Sequence, residues 1–338
     1  MTHLTEKENF MRLINGKDPE WLPVFSFGYN ADRIVPTMKI GPELLYDQYY
    51  HPGIWKDLWG VPYESSASAG NQKLPQPNVF ILEDIRRWRD VIKAPEIKDI
   101  DWETMARRDL ERAKIDQTQT ATLFKVHIGY FQTLMSFMGF SEGMCAMYEE
   151  PDEVKELMQY LSDFYVSVAE ACIDYYHPDM LCITDDVATW ANPFTSIEMY
   201  RDMIKPYHKT LAEVGLKRGL PIEMHCCGRC EDMIDDWMEF GVKAWDPAQV
   251  SNDLTAVQKK YGKDLVVIGG VDVRELLAPD IDEEQIRSFI RKTIDTYTQY
   301  GSYAFYCSLL AAVGDDVTAR KNRWITDEAV KYGHSIFR

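Results

Sequence analysis

Short apolar runs alternate with longer stretches of helical periodicity along most of this chain, and no other feature narrows its fold so far. Repeated βα units leave that pattern, because each parallel strand is buried on both faces and each helix turns one apolar stripe to the sheet. Strands are expected near residues 22–27, 123–128, 180–184, 222–225, 242–245, 265–268 and 303–307. Helices are expected over 151–176, 197–217, 230–240 and 283–300. Pro151 followed by Asp152 and Glu153 makes a good helix start, and Gly219 before Pro221 a good stop. Seven strands are legible in this way, and an eighth is not clean. Residues 28–120, rich in aromatic, proline and charged side chains, read as an N-terminal elaboration. No glycine-rich phosphate loop follows the first strand, which favours a single (β/α)8 barrel of the TIM type over an open doubly wound sheet. One barrel domain over residues 1–338 is therefore expected.

Composition limits what such a barrel can bind. With 46% apolar residues in 338, the chain has enough material for a real core. Its net charge of −17 repels nucleic-acid phosphates and anionic membrane surfaces, so neither is expected as a partner. No apolar run approaches the ~20 residues that span a bilayer. The opening MTHLTEKENFMRLING is charged and lacks a secretory apolar stretch, so a cytoplasmic location is expected. Seven cysteines do not resemble a secreted disulfide framework, and four of them (Cys226, Cys227, Cys230 and Cys307) fall in one region, which suggests chemistry as well as packing.

Glu223-Met224-His225-Cys226-Cys227-Gly228 ends one expected strand. Residues two apart on a strand share a face, so His225 and Cys227 can converge on one ion while Cys226 faces the other way. Cys307 ends another expected strand, and in a parallel barrel all strand ends share one rim. One imidazole and two thiolates suit zinc, with a fourth position left open. Two other readings stay open: buried structural cysteines, or a Cys227-x-x-Cys230 pair acting in redox or as half of a structural zinc site.

With His225-x-Cys227-Gly228 and Cys307 in view, the chain resembles the uroporphyrinogen decarboxylase superfamily, and within it the corrinoid-dependent zinc methyltransferases. The resemblance runs nearly end to end. It takes in the opening Glu6–Phe10 and Trp21–Val24, then Asp57-Leu58-Trp59-Gly60-Val61 and Ile183-Thr184-Asp185-Asp186. Pro193, Ser196, Tyr200 and Pro206-Tyr207 follow, then residues 241–246 and Ile268-Gly269-Gly270-Val271-Asp272. Where the family often has Gly-Cys-Gly near the last ligand, this chain has Tyr306-Cys307-Ser308. More distantly similar zinc barrels add an acidic ligand, which makes Asp246 the candidate fourth, with a cap or loop hydrogen bond as its competing role.

The resemblance implies zinc and a corrinoid. The D-x-H-x-x-G pattern that ligates cobalt does not occur here, so the corrinoid is expected on a partner, a corrinoid-binding protein. A small-molecule methyl donor is the expected substrate, and a homodimer is compatible with the sequence. The expected reaction moves a methyl group from a methyl ether to Co(I), as in O-demethylases. The alternative direction runs from methylcobalamin to a thiol of the coenzyme M type. A decarboxylase-like lyase fits less well, because residues 25–33 carry only Arg33 where a many-carboxylate substrate needs several arginines.

Other rim residues complete the expected site. Neighbours on a strand alternate, so at most one of Asp185 and Asp186 faces inward; Asp186 is the candidate, able to orient a ligand or protonate an alkoxide. Glu223 shares the face of His225 and is either a supporting carboxylate or a buried acid with a raised pKa. His127 is a further candidate at the end of its strand, weighed against a satisfied core histidine. Gly269, Gly270 and Asp272 permit close approach of a cofactor, although a tight βα turn explains them equally well.

Overall fold

The computed structural model describes residues 4–46, 53–67, 70, 72–125, 129–312 and 314–337. Its strands, in chain order, are β1 (Thr37–Ile40), β2 (Trp55–Lys56), β3 (Pro62–Ser66), β4 (Gln72–Pro75), β5 (Ala121–Lys125), β6 (Met180–Thr184), β7 (Ile222–His225), β8 (Val242–Ala248), β9 (Val266–Gly269) and β10 (Tyr303–Phe305). Seven of them form one parallel sheet in the order β1-β5-β6-β7-β8-β9-β10. Segment 23–27 closes that sheet on itself. Phe25 N donates to Phe305 O at 2.8 Å and Phe305 N to Pro23 O at 2.9 Å, while Lys39 N donates to Phe27 O at 3.0 Å on the other side. The result is a (β/α)8 barrel.

The strand missing from the sequence pattern is β1, and it lies inside the stretch 28–120 that reads as an elaboration. It is four residues long and carries Lys39 where an apolar residue is expected. What remains of that stretch includes the small antiparallel sheet β2-β3-β4. The helix expected over 197–217 divides at Ile204 into Ile197–Met203 and Lys205–Lys217, with Pro206 in the first turn of the second.

Side chains alternate along every stave, as strand geometry requires. Phe25, Leu123, Met180, Cys182, Ala244, Ile268 and Ala304 fill the barrel interior, joined by Phe10, Leu13 and Ile14 of the helix Glu6–Ile14. Phe124, Leu181, Ile183, Met224, Trp245 and Val267 face outward into the helix layer. This parity decides which rim residues can reach a common site. No helix among the described residues is long and apolar enough to cross a membrane.

Candidate metal centre

β6 runs on through Asp185 to Asp186, and β7 through Cys226 to Cys227. Parity sends Asp185 and Cys226 outward, and both are fully buried. The carboxylate of Asp185 accepts from the N–H groups of Tyr130 and Phe131, each at 3.0 Å, and lies 3.1 Å from His208 Nε2. It therefore caps the helix Tyr130–Met138. Gly129, at φ +116°, makes room for this cap, since a Cβ there would stand 2.2 Å from Asp185 Oδ1.

Asp186, His225 and Cys227 point inward and come together: one potential ligand atom from each lies within 4.8 Å of the other two. Each is held from behind. Asp186 Oδ1 accepts from Cys227 N at 2.7 Å, and Oδ2 from Gln132 Nε2 at 3.2 Å. Gln132 Oε1 returns the contact by accepting from Asp186 N at 3.2 Å. His225 Nδ1 lies 3.0 Å from Asp246 Oδ2 and 3.1 Å from Lys39 Nζ, so these two groups hold the ring on its Nδ1 side. Asp246 is thus the support of His225 and stands outside the converging trio.

Beneath His225 lies a buried charge network. Lys39 Nζ donates to Asp246 Oδ1 at 2.8 Å, ion-pairs with Glu223 Oε1 at 3.2 Å, and sits over the Phe27 ring at 4.6 Å. Burial opposes ionisation of Asp246, but Lys39 and His225 outweigh it and hold this carboxyl well below the usual range. Burial, then the charge of Asp246, pushes Glu223 well above it. Glu223 lies beneath the trio, fully buried. Burial, followed by the charges of Asp186 and Asp246, also raises the Cys227 thiol.

The remaining expected residues lie elsewhere. Cys307 continues the outward face of β10 with Tyr303 and Phe305, packing against their cluster, while Tyr306 takes the inward position against Phe27. Burial pushes the Cys307 thiol up to about 12. Gly269 and Gly270 face protein instead of a cofactor: a Cβ at the first would meet Ala248 O at 2.7 Å, and one at the second the Tyr297 ring at 2.5 Å. Asp272 caps the short helix Val273–Leu276 and pairs with Arg274. His127 lies outside the described residues. Sequence reasoning missed Lys39, Gln132 and Lys125, the last at the end of β5 with its ammonium pKa lowered by burial. The one signal for the two lysines is a cation set in an otherwise apolar run.

The trio lines a cavity of about 610 Å³ at the C-terminal rim, together with Lys125 and Gln132. Its wall is aromatic: Phe131 and Phe194 stack at 5.3 Å, and Phe140 meets Phe194 edge-on at 5.0 Å. An imidazole, a thiol and a carboxylate on pinned backbones, with the cavity on the fourth side, fit a divalent cation of the zinc type.

The sequence pattern of the uroporphyrinogen decarboxylase (URO-D) family matches residues 75–308. No curated protein matches the chain. Among solved structures, a methyltransferase from Methanosarcina mazei is similar over 99% of this chain and 99% of its own, at 10% identity and a TM-score of 0.60. A D-psicose 3-epimerase from Clostridium cellulolyticum H10 covers 68% of this chain and 81% of its own, at 9% identity and a TM-score of 0.38. At 10% identity the methyltransferase shares the fold. The family pattern takes in β5 to β10 and every member of the inward-facing trio, and by that match the chain belongs to the uroporphyrinogen decarboxylase family.

Proposed function

We propose that this chain is a zinc-dependent methyltransferase that takes a methyl group from a methyl ether and delivers it to the Co(I) corrinoid of a partner protein. The observation that carries this reading is the meeting of Asp186, His225 and Cys227 at an aromatic-walled cavity on the rim where such barrels keep their chemistry. The fold likeness to the Methanosarcina mazei methyltransferase supports it.

When bound, the cation supplies Lewis acidity toward the ether oxygen, and the partner's corrinoid supplies the nucleophile. The chain itself does the positioning. Asp246 and Lys39 fix the ring of His225, and Gln132 fixes Asp186. Phe131, Phe140 and Phe194 offer an apolar surface to a methoxylated ring or to the corrin. As the methyl group leaves, the bonding electron pair stays on oxygen, and the ammonium of Lys125 in the same cavity stabilises the growing negative charge.

One thiolate among three donors leaves a cation more electrophilic than two would, which favours the ether over transfer from methylcobalamin to a coenzyme M-type thiol. The test mixes the zinc-loaded chain with free Co(I) cobalamin and a methoxylated aromatic, and follows loss of the Co(I) absorption. Methylcobalamin should form, and Cys227→Ala should slow it about a hundredfold. Methylation of a thiol by methylcobalamin with no ether cleavage would reverse the direction. Activity that survives complete metal removal would overturn the reading and return the decarboxylase-like lyase.

A further inference from the structure

Behind the strand end that carries Asp186, a chain of polar side chains runs through the helix layer. Trp237 belongs to the helix Ile234–Glu239, Tyr200 to Ile197–Met203 and His208 to Lys205–Lys217, and Asp185 follows β6. All four are buried. Trp237 Nε1 donates to the Tyr200 hydroxyl at 3.1 Å, that hydroxyl lies 3.2 Å from His208 Nδ1, and His208 Nε2 lies 3.1 Å from Asp185 Oδ2. An indole N–H can only donate and an ionised carboxylate can only accept. One direction of donation, from Trp237 through Tyr200 and His208 to Asp185, therefore satisfies every member. A buried network satisfied in this way fixes one arrangement of the elements that it joins.

What the chain grips is the first turn of the helix Tyr130–Met138. Asp185 accepts there from the N–H groups of Tyr130 and Phe131, each at 3.0 Å, and of Gln132 at 3.3 Å. Gly129 precedes this helix and Gly139 follows it, both at positive φ, so the connections at its ends stiffen it little. Its seat is set by what holds that first turn. From the same turn the amide of Gln132 takes both Oδ2 and N of Asp186, each at 3.2 Å, and Asp186 Oδ1 accepts from Cys227 N at 2.7 Å. A turn of the Asp185 carboxylate would thus be felt at the rim through Gln132.

We propose that His208 is a positioning residue for the rim. By fixing the carboxylate of Asp185 it seats the helix Tyr130–Met138, and so keeps Gln132 on Asp186 and Asp186 on the Cys227 amide. The seating stands without the proposed function, whereas its consequence for metal affinity rests on that reading.

Amide hydrogen exchange of the full chain without metal, read residue by residue, tests the seating. In His208→Leu the amides of Tyr130, Phe131 and Cys227 should exchange about tenfold faster, while those of β9 and β10 keep the parent's rates. A merely structural role would speed those strands as well. In a Gln132→Leu background the same change should leave the Cys227 amide unaltered, because the link to Asp186 is already cut. His208→Gln, which keeps an N–H donor toward Asp185, should restore most of the parent's protection. Tyr200→Phe, which releases only the Nδ1 side, should act in the same direction by less, and it decides the matter if His208→Leu does not fold. Zinc affinity, measured by chelator competition, should fall about tenfold in His208→Leu and hardly further when that change is added to Gln132→Leu. A parent that binds no zinc contradicts the proposed function alone, and the exchange rates still decide the role of His208. Unchanged exchange at Cys227 in these variants, acceleration shared by β9 and β10, or an effect of His208→Leu that persists in full without Gln132 would overturn the proposal.

Discussion

His225 presents Nδ1 to both Asp246 and Lys39, and these two, with Glu223, form the buried charge network beneath it. Lys39 is the keystone of that group. Replacing it by methionine leaves Asp246 buried beside Glu223 without a counter-charge, and unfolding in urea should show a loss of about 3–5 kcal/mol. The Cys227 thiol, raised by burial and by Asp186 and Asp246, must release its proton when a cation binds. Metal affinity should therefore climb with pH, by about tenfold per unit below the thiol's pKa, and chelator competition across neutral pH would measure it. Cys227→Ala should flatten the slope. His225 and Cys227 were legible in the sequence because spacing by two fixes a shared face. The same parity rule, applied to Tyr303, Phe305 and Cys307, turns Cys307 outward, and it could not be applied before the phase of β10 was known. Asp246 was found as a rim acid but given the wrong partner, since its role depends on Lys39 arriving from β1.

At the scale of elements, the site depends on how the helix Tyr130–Met138 is seated on β6. Its first turn carries Gln132 to Asp186, and Asp185 anchors its N-terminus from the opposite face of the strand. Gly129→Ala would drive a Cβ into Asp185 from a backbone angle that alanine resists. A loss of about 2 kcal/mol or more is expected in denaturant unfolding, accompanied by weaker metal retention as Gln132 shifts. Several elements were plain from periodicity alone: the helix Pro151–Tyr176 and the strands β6 and β7 fall where the pattern puts them. The strand β1 did not, because a buried lysine breaks the apolar run and only the tertiary network compensates it.

For the molecule as a whole, closure of the ring by segment 23–27 brings β1, β6, β7 and β8 to one rim, so residues from Lys39 to Asp246 share a single centre. The barrel interior below is apolar and closed off by Phe10, Leu13 and Ile14, leaving the C-terminal rim as the site of chemistry. The proposed function rests on a metal held at this rim. Elemental analysis of gently purified protein, beside Asp186→Ala, Cys227→Ala and Cys307→Ala, tests it most directly. About one zinc per chain is expected in the parent and in Cys307→Ala, with a marked loss in the other two. A metal-free parent, or zinc lost with Cys307 and kept without Asp186, would contradict the centre described by Asp186, His225 and Cys227.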